Sequence, residues 1–206
     1  MASDLEVARL ARLARALNRV GPLPPLILMT DEARSGDPVA AAKKLPRGCA
    51  IVVRHRDRDS RASLAARLRP VTKDRGLLLL ISGDDQLVRL LGADGLHLPE
   101  NQCRTAHHWK AVHPNWLVTA AAHSALAVAI AARSGADAAL LGPVFPTRSH
   151  PERPNLGAFR VLGIAARAPL PVYALGGVNG NTARRLAGSV VAGFAAIDGL
   201  AALHNA

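Results

Sequence analysis

The stretch GADAALLGPVFPTRSHPERPNLG, Gly135 to Gly157, decides the fold. A small-residue turn, Gly135-Ala136, leads into the short apolar run Ala138 to Leu141, which stops at Gly142-Pro143. A polar loop rich in Pro, Arg, Thr and His follows. A short buried strand that ends abruptly in a decorated loop is how a parallel α/β sheet presents chemistry at the carboxyl ends of its strands.

Outward from this stretch the same unit recurs. Short apolar runs at 26–29, 49–53, 77–81, 96–98, 116–120, 171–175 and 190–196 read as buried strands. Helical patterns lie between them: one opening at Asp37-Pro38, then 60–73, one capped by Ser82-Gly83-Asp84-Asp85, 101–112, 124–134, about 158–166, 180–187, and a last one after Asp198. Residues 3–19 form an additional amphipathic helix, capped by Ser3 or Asp4. Leu5, Leu10, Leu13 and Leu17 share one face, and Arg9, Arg12, Arg15 and Arg19 point elsewhere. About eight strands alternate with about eight helices, without a long linker or a composition break, so the sheet is parallel with right-handed crossovers. The expected architecture is a compact single-domain (β/α)8 TIM barrel over 1–206, with the extra helix at 1–20 and the barrel at 26–200. An open doubly wound sheet is the rival. Against it, the first strand lacks a dinucleotide fingerprint and the paired glycines come late in the chain.

A chain of 206 residues with half its residues hydrophobic buries a substantial core, and with 3% aromatics that core is built from Ala, Val, Leu and Ile. No apolar run is long enough to cross a bilayer, and the start lacks a signal peptide's continuous apolar segment. Asp4 and Glu6 argue against an Arg-rich transit peptide, so a cytoplasmic location is expected. Cys49 and Cys103 lie far apart without a ligand cluster and read as reduced, structural thiols. A net charge of +11 favours anionic partners. Its arginines are spread along the chain, and few aromatics are present to stack on bases. An anionic small molecule is therefore expected in preference to nucleic acid or membrane.

In a barrel, function sits on the loops after the strands. Gly176-Gly177 after the seventh strand and Gly199 after the eighth are candidates to hold a phosphate through backbone N–H groups; tight turns that need glycine sterically are the alternative. His123, just after the fifth strand, is positioned to take and return a proton, or else is a surface histidine beside a helix cap. His97 looks buried and structural, and His107, His108, His113 and His204 look solvated. Arg54 and Arg56, two apart, point the same way if the second strand continues past them, and a guanidinium suits phosphate or carboxylate. Arg148, His150 and Arg153 could form a cationic flap. No histidines and carboxylates share a metal-ligand spacing.

Several segments carry a family resemblance. Ala93-Asp-Gly-Leu-His-Leu98, Gly142-Pro-Val-Phe-Pro-Thr147, Tyr173-Ala-Leu-Gly-Gly-Val178 and Val191-Ala-Gly-Phe-Ala-Ala-Ile197 resemble, in order and spacing, the thiamine phosphate synthase and thiazole tautomerase (TenI-type) family from about Leu26 to Leu200. The synthase branch joins a pyrimidine diphosphate to a thiazole phosphate with magnesium. The resemblance implies an Asn-Asp pair where this chain has Ser82 and Gly83, and a further Asp near Gln102. Both magnesium carboxylates are replaced, unless Asp84 or Glu100 substitutes for them. A lysine expected after the Pro-Thr turn is His150, and a Gln-x-Arg-x-Lys motif becomes Val52-x-Arg54-x-Arg56. The tautomerase branch aromatises a thiazole phosphate carboxylate by moving a proton, needs no metal, and resembles this chain in its His-Ser after the fifth strand, here His123-Ser124. The resemblance implies that Gly176 and Gly177 hold the phosphate, Thr147 orients the ring, His123 is the acid–base group and Arg54 neutralises the remaining charge. Three expectations follow: a cofactor-free tautomerase-like isomerase, a magnesium-dependent synthase, or a non-catalytic phosphate-ligand binder. A homo-oligomer is compatible with each.

Overall fold

The apolar run that opens the reading is a strand, and seven more join it edge to edge. The computed structural model describes residues 4–17, 23–31, 36–147 and 154–197. Its strands are β1 (Leu26–Met29), β2 (Ala50–Val53), β3 (Leu78–Ser82), β4 (Gly95–Leu98), β5 (Leu117–Ala122), β6 (Ala138–Leu141), β7 (Val172–Leu175) and β8 (Gly193–Ala196). They close into one parallel barrel in sequence order, with β8 pairing β1. The α-helices are α1 (Asp4–Leu17), α2 (Pro38–Lys44), α3 (Arg58–Arg75), α4 (Asp85–Leu91), α5 (Ala106–Val112), α6 (Ala125–Arg133) and α7 (Ala158–Arg167). The barrel expectation holds, and closure removes the edges that the open-sheet rival would leave.

Strands this short work because both faces are buried. Side chains alternate across each strand. One set, including Leu28, Ile51, Leu79, Leu96 and Phe194, packs outward in a core shared with the helices. The other, including Ile27, Met29, Val52, Leu80, Leu140 and Tyr173, fills the barrel interior. Each fully buried Leu or Ile contributes about 1.5–3 kcal/mol relative to exposure.

Two strands are tied in by a repeated device. Gly92-Ala93-Asp94 precedes β4, and Gly135-Ala136-Asp137 precedes β6. Asp94 Oδ2 accepts from the Leu79 amide at 2.8 Å and pairs with Arg69 of α3 at 2.9 Å. Asp137 Oδ2 accepts from the Val118 amide at 2.7 Å and pairs with Lys110 of α5 at 3.1 Å. In both, a carboxylate at a strand's start binds the preceding strand's backbone and a cation from the helix packed before it.

Several local expectations change. The face that α1 buries is Val7, Leu10, Ala11, Ala14 and Leu17, whereas Leu5 is exposed. The expected 101–112 helix divides into a 3₁₀ segment, Glu100–Thr105, followed by α5. The expected 180–187 helix is a 3₁₀ turn, Thr182–Leu186. Asn179 and Thr182 fix that turn reciprocally, each side-chain oxygen accepting the other's amide at 3.1 and 2.9 Å. The last strand starts at Gly193, leaving Val190 exposed. The helix expected after Asp198 lies outside the described residues. Cys49 and Cys103 are buried free thiols, and burial pushes Cys49 up to about 11 against the pull of Arg15. Among the described residues, no helix is long and apolar enough to cross a membrane.

Candidate active site

β5 runs two residues past its expected end, to Ala122, which sets His123 directly on the barrel rim. Ser124 then caps α6, its hydroxyl accepting the Ala127 amide at 3.1 Å. His123 itself is clamped from two sides. Its backbone N–H donates to Glu100 Oε2 at 2.7 Å, from the turn after β4. Its Nδ1 lies 2.6 Å from the Gly142 carbonyl, at the end of β6. A carbonyl oxygen only accepts, so Nδ1 carries the proton. In the neutral ring Nε2 is then the basic nitrogen, the arrangement a proton-accepting histidine needs. A groove of about 480 Å³, lined in part by Glu100, Cys103, Arg104 and Leu126, runs beside His123 along α6.

The glycine pair after β7 is built into the wall. Gly176 and Gly177 have φ of +94° and +64°, the left-handed region that favours glycine. A Cβ on Gly176 would stand 2.8 Å from Pro143 Cα, and one on Gly177 2.5 Å from the Pro146 oxygen. The loop after β6 lies against this turn: Val144 N–H donates to Leu175 O at 2.9 Å and Phe145 N–H to Gly176 O at 3.1 Å. The steric reason for glycine is therefore present at both positions. Thr147 closes the described part of this loop, half-buried. Arg148, His150, Arg153, Asp198 and Gly199 lie outside the described residues.

Arg54 and Arg56 do not extend β2 as a shared face, because the strand ends at Val53. Arg54 instead bridges to the end of β1. Its Nη2 pairs with Asp31 Oδ2 at 3.1 Å, and its N–H donates to Thr30 Oγ1 at 2.9 Å. Arg56 is exposed.

Neither candidate substitute carboxylate faces the rim freely. Asp84 is buried and caps α4, its Oδ1 accepting the Leu87 amide at 2.9 Å. Its Oδ2 takes Arg58 Nε at 3.1 Å and Arg61 Nη2 at 3.2 Å. Burial alone would raise its pKa; the Leu87 amide and the two guanidiniums outweigh that and hold it below the ordinary carboxylate value. Glu100 holds the His123 amide. Among the described residues, no group of three or more His, Cys, Asp or Glu side chains is arranged to hold a metal ion.

The inner barrel wall carries polar groups that the sequence reading gave no functional role. His97 Nδ1 lies 2.9 Å from Thr119 Oγ1 on the neighbouring strand, and both side chains are buried. Burial, reinforced by Arg54, pulls the His97 pKa down to about 3. Period-2 alternation on β4 and β5 carries the signal for this pair, since Leu96, Leu98, Val118 and Ala120 all belong to the outer core. His113, expected to be solvated, is half-buried and stacks on Trp116 at 3.8 Å.

Comparison with known proteins agrees with this architecture. Residues 26–200 match the family model described as thiamine monophosphate synthase. A protein of Aquifex aeolicus named putative thiamine-phosphate synthase 2 is 36% identical over 161 residues, 76% of this chain and 86% of its own. The thiamine-phosphate synthase of Methanoculleus marisnigri is 31% identical over 185 residues, 86% of this chain and 85% of its own. Among solved structures, the thiamine phosphate pyrophosphorylase from Pyrococcus furiosus superposes with a TM-score of 0.68 at 22% identity, covering 90% of this chain and 88% of that one, a likeness of fold. A match along nearly the whole barrel, joined to relatives this similar, means that the chain belongs to the thiamine phosphate synthase/TenI family.

Proposed function

We propose that this protein is a thiamine-biosynthesis enzyme that isomerises a phosphorylated thiazole by acid–base proton transfer at His123. The observation that carries this reading is the fixed ring: Nδ1–H held by the Gly142 carbonyl leaves Nε2 as the basic nitrogen. Nε2 takes a proton from the non-aromatic ring, and the resulting imidazolium returns one at the other end of the conjugated system. The product is an aromatic isomer, with no co-reactant and no net change in protons. Glu100 fixes the backbone and the Gly142 carbonyl fixes the ring through Nδ1, so that Nε2 stays aimed at the substrate and within reach of both ends of the conjugated system. In this reading Arg54, paired with Asp31, offers its remaining guanidinium N–H groups to the substrate at the mouth, and the Gly176-Gly177 turn and Thr147 line the phosphate end.

The relatives' names support a second reading, a synthase joining a pyrimidine diphosphate to a thiazole phosphate. That chemistry calls for magnesium, with carboxylate oxygens turned toward the diphosphate. Here Asp84 is engaged by Arg58, Arg61 and the Leu87 amide, Glu100 by His123, and Asp31 by Arg54. The described residues do not fit a magnesium site.

The test is kinetic. His123→Asn should lower kcat for aromatisation of the thiazole phosphate carboxylate by about 10²–10⁴-fold, with KM changed little. Unchanged turnover in that variant would remove His123 from the chemistry.

A further inference from the structure

A barrel interior is usually filled by apolar side chains, and most of this one is. The exception is a contiguous patch on the β3–β5 wall. Ser82 pairs in register with His97, and His97 with Thr119. Alternation turns all three inward, because Ile81, Leu96, Leu98, Val118 and Ala120 face the outer core. All three are more than nine-tenths buried.

The protonation pattern follows from counting partners. Among the described residues, the only hydrogen bond of the Thr119 hydroxyl is the one to His97 Nδ1. If Nδ1 carried the proton, the hydroxyl proton would be buried without an acceptor. The hydroxyl therefore donates to Nδ1, and the ring proton sits on Nε2. That N–H meets no acceptor among the described residues, yet Nε2 is not among the polar atoms sealed from solvent, and neither is Ser82 Oγ. Two adjacent, nearly buried polar side chains thus keep an unpartnered polar atom open, on the wall below the rim where Arg54 stands. The ring stays uncharged, so it can donate a hydrogen bond without adding a cation.

We propose that His97 contacts the substrate directly, its Nε2–H, fixed by Thr119, donating a hydrogen bond to an acceptor atom of the ligand's heteroaromatic ring. The inference rests on the barrel mouth being the ligand site, as proposed above, and adds a ring-reading contact separate from the proton transfer at His123.

Nuclear magnetic resonance of the full chain, with ¹⁵N-labelled histidine, tests it. In the free protein His97 should appear as a neutral ring protonated at Nε2. Titration with thiazole phosphate should move the His97 Nε2–H resonance and leave the exposed His107 and His108 in place. In kinetics, His97→Leu should raise KM roughly tenfold with a smaller effect on kcat, and His97→Gln, which keeps an N–H donor, should recover much of that loss. Pyrimidine diphosphate and inorganic phosphate serve as further probes. An Nε2–H signal unmoved by all three ligands overturns the proposal, whether or not the protein turns substrate over. A shift on binding without aromatisation would sustain it while the isomerase reading fails. Should His97→Leu not fold, the wild-type titration still decides.

Discussion

Three histidines show how position sets the use of one side chain. His123 stands on the rim with one nitrogen tied to a carbonyl, His97 is sunk in the wall, and His113 lies flat on Trp116. Sequence placed His123 well, because a residue directly after a barrel strand reaches the mouth whatever its neighbours. It could not show that Nδ1 would meet Gly142, 19 positions away. Asp84 caps α4, as the Ser82-Gly83-Asp84-Asp85 run indicates. That Arg58 and Arg61 also turn back onto it was not legible, because it depends on how α3 packs against the end of β3. The pH dependence of stability follows from these groups. The folded state holds His97 near 3, below its ordinary 6.5, so it favours the neutral ring. That contribution is complete above about 6.5 and is lost as pH falls toward 3, with a slope of at most about 1.4 kcal/mol per pH unit. Asp84, depressed from 3.8, contributes above that value and is lost below it. Urea unfolding should therefore show stability falling from pH 6.5 downward, and the slope between pH 6 and 4 should shrink in His97→Gln. Asp84→Ala should lose roughly 2–4 kcal/mol, from the missing cap and the stranded Arg61 guanidinium.

At the scale of elements, strands were legible where length and apolar content agreed, and β1, β2, β3, β4, β6 and β7 lie within a residue of expectation. Boundaries moved where a backbone partner or cap decided them. The β5 ladder continues because β6 offers partners up to Leu141, and the 182–186 turn stays 3₁₀ around the Asn179-Thr182 bonds. The two Gly-Ala-Asp turns were read as small-residue turns, and their aspartates went unassigned. Their role depends on cross-strand amides that no local pattern reveals. Asp137→Ala should cost about 1–3 kcal/mol in denaturant unfolding, because the Val118 amide and Lys110 lose their shared acceptor; Asp94→Ala should behave alike. The loops after β6 and β7 act as one element. Gly177→Ala should destabilise by about 1–3 kcal/mol, since a Cβ meets Pro146 and Phe145 on a left-handed backbone. Bulky residues in that turn therefore test loop packing before they test phosphate binding.

For the whole molecule, alternation of short strands and helices was enough to specify a closed barrel, and the motif order was enough to specify the family. The high positive charge reads differently once folded. Arg58, Arg61 and Arg69 of α3 pair with carboxylates beside strand ends, Arg54 joins the ends of β1 and β2, and Arg89 pairs with Asp85 within α4, so these arginines serve internal pairing rather than one basic surface. The chain retains its family's scaffold with a rim whose carboxylates are engaged internally. The central claim is proton transfer without a metal. It is tested most directly by following turnover of the thiazole phosphate carboxylate by purified protein in excess chelator, beside a synthase assay with pyrimidine diphosphate, thiazole phosphate and magnesium. The account predicts aromatisation undiminished by chelation and no thiamine phosphate formed. Magnesium-dependent formation of thiamine phosphate, with no aromatisation, would contradict it.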